Sequence, residues 1–138
     1  MNRRAALAKA CAHHGVAAVY LFGSRADDGL AVLDGAQRSG SGSDLDIGLL
    51  FAETPAAVTR LAQLQIAFED VFAPLRIDIV PLDRVDPIFQ FRAIDGHRVF
   101  AQPSRLADLF ELEVMRSAAE LLPIQRERER ERFGVSTT

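Results

Sequence analysis

DLDIGLLF, residues 44–51, is the stretch on which the fold turns. It opens with strict polar–apolar alternation and becomes fully apolar, the pattern of a strand that starts at the surface and enters a buried sheet. Alternation along residues 44–51 predicts Asp44 and Asp46 on one face, with Leu45 and Ile47 on the other. Two carboxylates about 7 Å apart along one strand repel each other unless a cation lies between them. Read alone, an Asp-X-Asp pair fits a solvated strand end; followed by IGLLF, it heads a strand bound for the core.

Two further strands read outward from this one. VAAVYLF, residues 16–22, is a continuous apolar run of strand length that stops at Gly23-Ser24. A glycine there lets the backbone approach a ligand, and a helix that follows offers free N–H groups to phosphate oxygens; alone, a strand ending in Gly-Ser is most often only a turn. LRIDIVPL, residues 75–82, alternates again, though Pro81 weakens the strand pattern near its end. Its Ile77 and Ile79 face the core, which leaves Asp78 on the face of Arg76 and Val80. A charge in so apolar a strand is costly without a partner. Arg76 is one candidate; a metal shared with Asp44 and Asp46 is the other.

Residues 2–14 predict a helix with Leu7, Ala8 and Cys11 inward and Gly15 as its stop. Thr54-Pro55 supplies an N-cap and first residue for a helix over 55–73, with Val58, Leu61, Leu64, Gln65 and Phe68 at helical spacing. Asp86-Pro87 starts another element over 86–95, Asp95-Gly96 turns, and residues 97–101 form a short strand. From Ser104, the apolar positions Leu106, Leu109, Phe110, Val114, Ala118 and Leu121 mark a helix to about Leu122, where Pro123 breaks or kinks it. Residues 25–43 lack sustained periodicity, and GAQRSGSGS (35–43) reads as a mobile loop. Strands alternating with helices give an α/β sheet covered by helices.

Composition bounds the classes of function. With 138 residues, 49% of them apolar and 25% charged, the chain fits one domain that needs no disulfide. Cys11 stands alone, which suits a reducing, cytoplasmic setting. No run approaches the roughly 18 apolar residues of a membrane span. Arg3-Arg4 before an alanine-rich stretch faintly resembles a secretion signal, but Lys9, His13 and His14 interrupt it. A net charge of −3 argues against stable nucleic-acid binding. His13-His14 reads as a helix end, His97 as alone at a turn, and Cys11 and Tyr20 as core packing.

Taken together, YLFGSRADDG, SDLDIGLLF and RIDIV resemble the signature of the nucleotidyltransferase superfamily of the DNA polymerase β type. The stretch VPLDRVDPIFQFRAIDGHRVFA is similar to the minimal nucleotidyltransferases (MNT) of prokaryotes, which are encoded beside HEPN-domain partners. The resemblance covers residues 16 to about 122. It implies a nucleotidyltransferase fold, a mixed sheet of about four strands flanked by helices, over residues 1–122, with a charged extension over 123–138. One departure is the spacing: nineteen residues separate Ser24 from Asp44, roughly twice the family's usual number, through an insertion within AVLDGAQRSGSG. A loop of that length, folded over the site, would hinder or gate nucleotide entry.

The resemblance implies transfer of a nucleoside monophosphate from a triphosphate, ATP, to an acceptor hydroxyl. In that reading Asp44 and Asp46 hold the Mg²⁺ that binds the triphosphate, and Asp78 completes a second Mg²⁺ site. The Gly23 backbone and Ser24 hydroxyl cradle phosphates; Arg25 adds a charge-assisted contact or is a solvated loop residue. The implied acceptor is a tyrosine of a HEPN toxin, with this chain as antitoxin in a hetero-oligomer. Two alternatives are a non-catalytic module that neutralises its partner by occlusion, and a transferase for a small molecule such as an aminoglycoside, completed by a homodimer. The alternating Arg/Glu run from Arg126 to Arg132, behind Leu109, Leu112, Met115 and Leu122, is either a solvated helix extension or part of a partner surface.

Overall fold

The computed structural model describes residues 2–53 and 58–133. Its strands are β1 (Val16–Phe22), β2 (Leu45–Phe51), β3 (Ile77–Pro81) and β4 (His97–Ala101). Its helices are α1 (Arg3–His14), α2 (Ala26–Leu33), α3 (Val58–Phe72), α4 (Pro87–Ile94) and α5 (Ser104–Phe133), with a 3-10 turn at Leu82–Arg84. The strands form one mixed sheet in the order β3-β2-β1-β4. The β1–β2 and β1–β4 pairs are antiparallel and β2–β3 is parallel. Pro81 falls at the end of edge strand β3, where a missing N–H leaves no gap in the ladder.

Both faces of the sheet are covered, which explains why β1 is apolar and buried at every position. On one face Val19, Leu21, Leu45, Ile47 and Leu49 pack with Leu7, Cys11, Val32, Leu64, Phe68 and Phe72 of α1, α2 and α3. On the other, Ala18, Tyr20 and Phe22 pack with Leu82, Ala93 and Ala107, and with the half-buried Leu50, Val80 and Phe110. The Tyr20 hydroxyl donates to Glu111 Oε2 at 2.8 Å, and Arg98 Nη1 donates to the same oxygen at 2.8 Å, joining α5 to the sheet.

The structure departs from the sequence expectations in several places. Residues 26–33 form α2, the helix that follows the Gly23-Ser24 turn, inside a stretch that shows no sustained periodicity. β2 begins at Leu45, so Asp44 lies just before the strand. The Thr54-Pro55 helix start lies outside the described residues. Pro123 does not end α5, which continues to Phe133. A proline inside a helix costs about 3 kcal/mol; here its side chain is exposed and strong helix formers flank it, Leu121-Leu122 before and Gln125-Arg126-Glu127 after. The inward face of α5 is met in part: Val114 and Ala118 are buried as expected, together with Ala107, whereas Leu106, Leu109 and Leu121 are exposed. Small residues on α5 and Ala18 on β1 let helix and sheet approach closely, and the larger leucines are turned outward. Among the described residues no helix is long and apolar enough to cross a membrane.

Candidate active site

The strand register assembles the site. Phe22 at the end of β1 lies opposite Asp46 at the start of β2, and Asp46 lies opposite Asp78 at the start of β3. The turn after β1 and these two carboxylates therefore meet at one end of the sheet. At the turn, Gly23 takes φ 79°, a left-handed conformation that L side chains rarely adopt. A Cβ at Gly23 would also collide with Oδ2 of Asp46. Backbone and contact both require glycine here, and the backbone lies directly against the carboxylate. Ser24 Oγ is 2.9 Å from Ser43 Oγ, which ties the turn to the residue before Asp44.

Asp46 is half-buried, and burial holds its carboxyl above the ordinary carboxylate range. The charges of Asp78 and then Asp44 push it in the same direction. Three carboxylates thus bear on one position, which favours a cation or a proton. Arg76 does not neutralise Asp78 as its place on the strand suggested. Its Nε pairs with Asp44 Oδ1 at 3.4 Å and its Nη2 donates to the Gly42 carbonyl at 2.6 Å. With Asp44 engaged by Arg76, no three acidic, histidine or cysteine side chains among the described residues are close enough to ligate one ion as they stand.

Arg25 is not the solvated loop residue the sequence allowed. It is buried, and it donates to Asp28, to the Ser39 carbonyl and to the Ser41 carbonyl. The 35–43 segment, expected as a mobile loop, is fastened at several points: Arg38 Nε reaches Asp28 at 3.2 Å, and Gly40 lies against the Pro74 carbonyl. The loop leaves Asp78 exposed and Asp44 about half exposed, so it does not seal the carboxylates. His97, expected alone at a turn, pairs with Asp27 on α2 through Nε2 at 2.7 Å. Cys11 is core as expected, its thiol pushed up to about 12 by burial. His14, expected as a helix end, does end α1 and is buried there, and burial lowers its pKa. Ser43 and Asp28 were absent from the sequence reading of the site, and Arg76 entered it only as a partner for Asp78; the adjacency of Ser43 to Asp44 was the one signal for Ser43.

A family model described as polymerase beta, nucleotidyltransferase matches residues 6–105. The chain belongs to the polymerase β nucleotidyltransferase family. The matched region runs from α1 into the first residues of α5 and contains Gly23, Ser24, Asp44, Asp46 and Asp78. A solved structure assigned as a minimal nucleotidyltransferase is 31% identical, with TM-score 0.50, over 68% of this chain and 84% of that one. Two more distant structures share this nucleotidyltransferase fold over nearly the whole chain. One is a toxin–antitoxin complex with AMP-PNP, at TM-score 0.65 and 18% identity, covering 96% of this chain and 98% of that one. The other is a tri-AMPylated Shewanella oneidensis HEPN toxin in complex with MNT antitoxin, at TM-score 0.63 and 15% identity, covering 96% and 97%. No curated protein matches the sequence.

Proposed function

We propose that this nucleotidyltransferase transfers AMP from ATP to a hydroxyl of a HEPN-domain partner, with a tyrosine as acceptor, and so acts as an antitoxin. The observation that carries the reading is Asp46, which lies against the Gly23 backbone and feels the charges of both Asp78 and Asp44. The likeness to a toxin–antitoxin complex with AMP-PNP and to an MNT antitoxin bound to an AMPylated HEPN toxin supports ATP as donor and a protein as acceptor. The exposed row Leu109, Leu112 and Met115 on α5 supports a protein partner, because apolar side chains in a contiguous row favour association.

Carboxylates are the hard oxygen donors that Mg²⁺ takes, and the like charges around Asp46 are relieved by a cation. In this reading Asp44 and Asp46 would hold one Mg²⁺ and Asp78 would contribute to a second. When bound, the cations neutralise the triphosphate and stabilise the attacking and leaving oxygens of an in-line displacement. The chain's own part is to bind and orient. The Gly23 backbone and Ser24 hydroxyl receive the terminal phosphates, which leave as pyrophosphate. Asp78, exposed on the edge strand, is where the acceptor hydroxyl approaches and gives up its proton to a carboxylate oxygen. Incubating the protein with labelled ATP, Mg²⁺ and the product of its neighbouring reading frame tests this. Label on the partner with wild type and none with Asp44→Asn is expected; equal protection of cells by both proteins, with no label transferred, contradicts it.

A further inference from the structure

We infer that Arg25 is a positioning residue, which latches the 39–43 loop and through it sets Asp44 and Ser24. The inference rests on the nucleotidyltransferase reading above and assigns Arg25 a different task from phosphate contact. Although it follows the turn directly, Arg25 is only 8% exposed. Its Nε donates to Asp28 Oδ2 at 3.1 Å, Nη1 to the Ser41 carbonyl at 2.8 Å, and Nη2 to the Ser39 carbonyl at 2.7 Å. Three of its N–H groups are thereby taken up by the chain itself, and the guanidinium plane is fixed against the loop.

From those two carbonyls the chain runs straight to the site. Gly42 accepts from Arg76, Ser43 bonds to Ser24, and Asp44 follows. Arg38 joins the latch from the loop side through the same Asp28. A longer loop between two site residues carries more conformational freedom, so the ten residues between the end of α2 and Asp44, which have no regular structure, need a fixed point near Asp44. A planar fork can hold two carbonyls and a carboxylate at once; a lysine ammonium keeps the charge but not that geometry.

The test uses Arg25→Lys and Arg25→Gln in the full chain, with two readouts. The first is trypsin cleavage after Arg38 in metal-free protein, identified by fragment mass. The second is the Mg²⁺ concentration giving half-maximal binding of a non-hydrolysable ATP analogue. Loss of the two carbonyl contacts speeds cleavage by about tenfold or more. Half-saturating Mg²⁺ rises by about tenfold, as for other residues that orient metal ligands, while analogue affinity at saturating Mg²⁺ is little changed. Lysine rescues neither. Full rescue by lysine overturns the inference, as does unchanged cleavage with analogue affinity lost at every Mg²⁺ concentration. If neither Arg25 variant folds, Asp28→Asn loosens the same latch from outside: faster cleavage supports it, and a wild-type rate overturns it. Should wild type bind no nucleotide, the transferase reading fails, while the cleavage rates still decide the latch.

Discussion

Replacing Gly23 with alanine separates the two demands made on that position. An L-residue held at φ 79° costs about 1–2 kcal/mol. The new Cβ also meets Oδ2 of Asp46, and swinging that carboxylate off its rotamer adds about 0.5–1.5 kcal/mol. The combined loss is about 1.5–3.5 kcal/mol by those two principles. A chain of this length unfolds with an entropy of about 0.3 kcal/mol/K, so Tm falls by about 5–12 °C. Because the displaced group is a site carboxylate, AMP transfer drops by about 10²-fold. Gly35 provides the control: it has φ 91°, and a Cβ placed there would meet nothing within 4 Å, so Gly35→Ala carries backbone strain alone. It should lose about 1–2 kcal/mol and keep full activity. Thermal melting and single-turnover transfer on both variants check this. Equal melting losses, together with intact transfer by Gly23→Ala, would refute the close approach of turn and carboxylate as a functional feature.

Three further outcomes follow from the geometry. Asp78→Asn should keep stability within about 0.5 kcal/mol, since the side chain is exposed, yet lose about 10²-fold or more in transfer; an active variant would remove Asp78 from the chemistry. Asp46 makes metal-free stability depend on pH. Its folded carboxyl holds a proton more tightly than the unfolded one, so the folded state binds more protons. Stability from this group is therefore present at low pH and lost as pH rises from about 4 through the raised folded value. Urea midpoints in EDTA should show that slope for wild type and a flatter one for Asp46→Asn; parallel slopes would contradict it. Tyr20→Phe removes a buried hydroxyl that donates to Glu111 and should cost about 1.5 kcal/mol by denaturant unfolding. Unchanged stability would mean that this bond contributes nothing.

The parts of the fold legible in the sequence were those whose burial leaves a periodic trace. β1, β2 and β4 lie at or within a residue of their expected bounds, because apolar runs and alternation report directly on which faces are covered. α2 left no such trace. It is eight residues long, and Gly29 interrupts it where the helix lies so close to Leu45 that a Cβ would be 2.8 Å from its methyl carbons. The fit that seats the helix therefore removes the side chain that would have announced it. α5 misled for a related reason: the leucines with the strongest helical spacing point outward, and alanines make the contact. At the candidate site, Asp46 and Asp78 were readable from alternation on β2 and β3, with Asp44 just ahead of β2, but their partners were not. Arg76 sits two residues from Asp78 in sequence and pairs with Asp44 in space, because β2 and β3 run parallel and Leu45 N–H bonds to the Arg76 carbonyl. The burial of Arg25 depends on where a loop returns, which no local pattern encodes.

The most direct test of the central claim is transfer of label from α-labelled ATP to the neighbouring gene product, with Mg²⁺, using wild type and Asp46→Asn side by side. Label is expected on a tyrosine of the partner with wild type and not with Asp46→Asn, with complex formation by both. A partner that stays unlabelled while wild type binds it, or equal labelling by the two proteins, would contradict that claim.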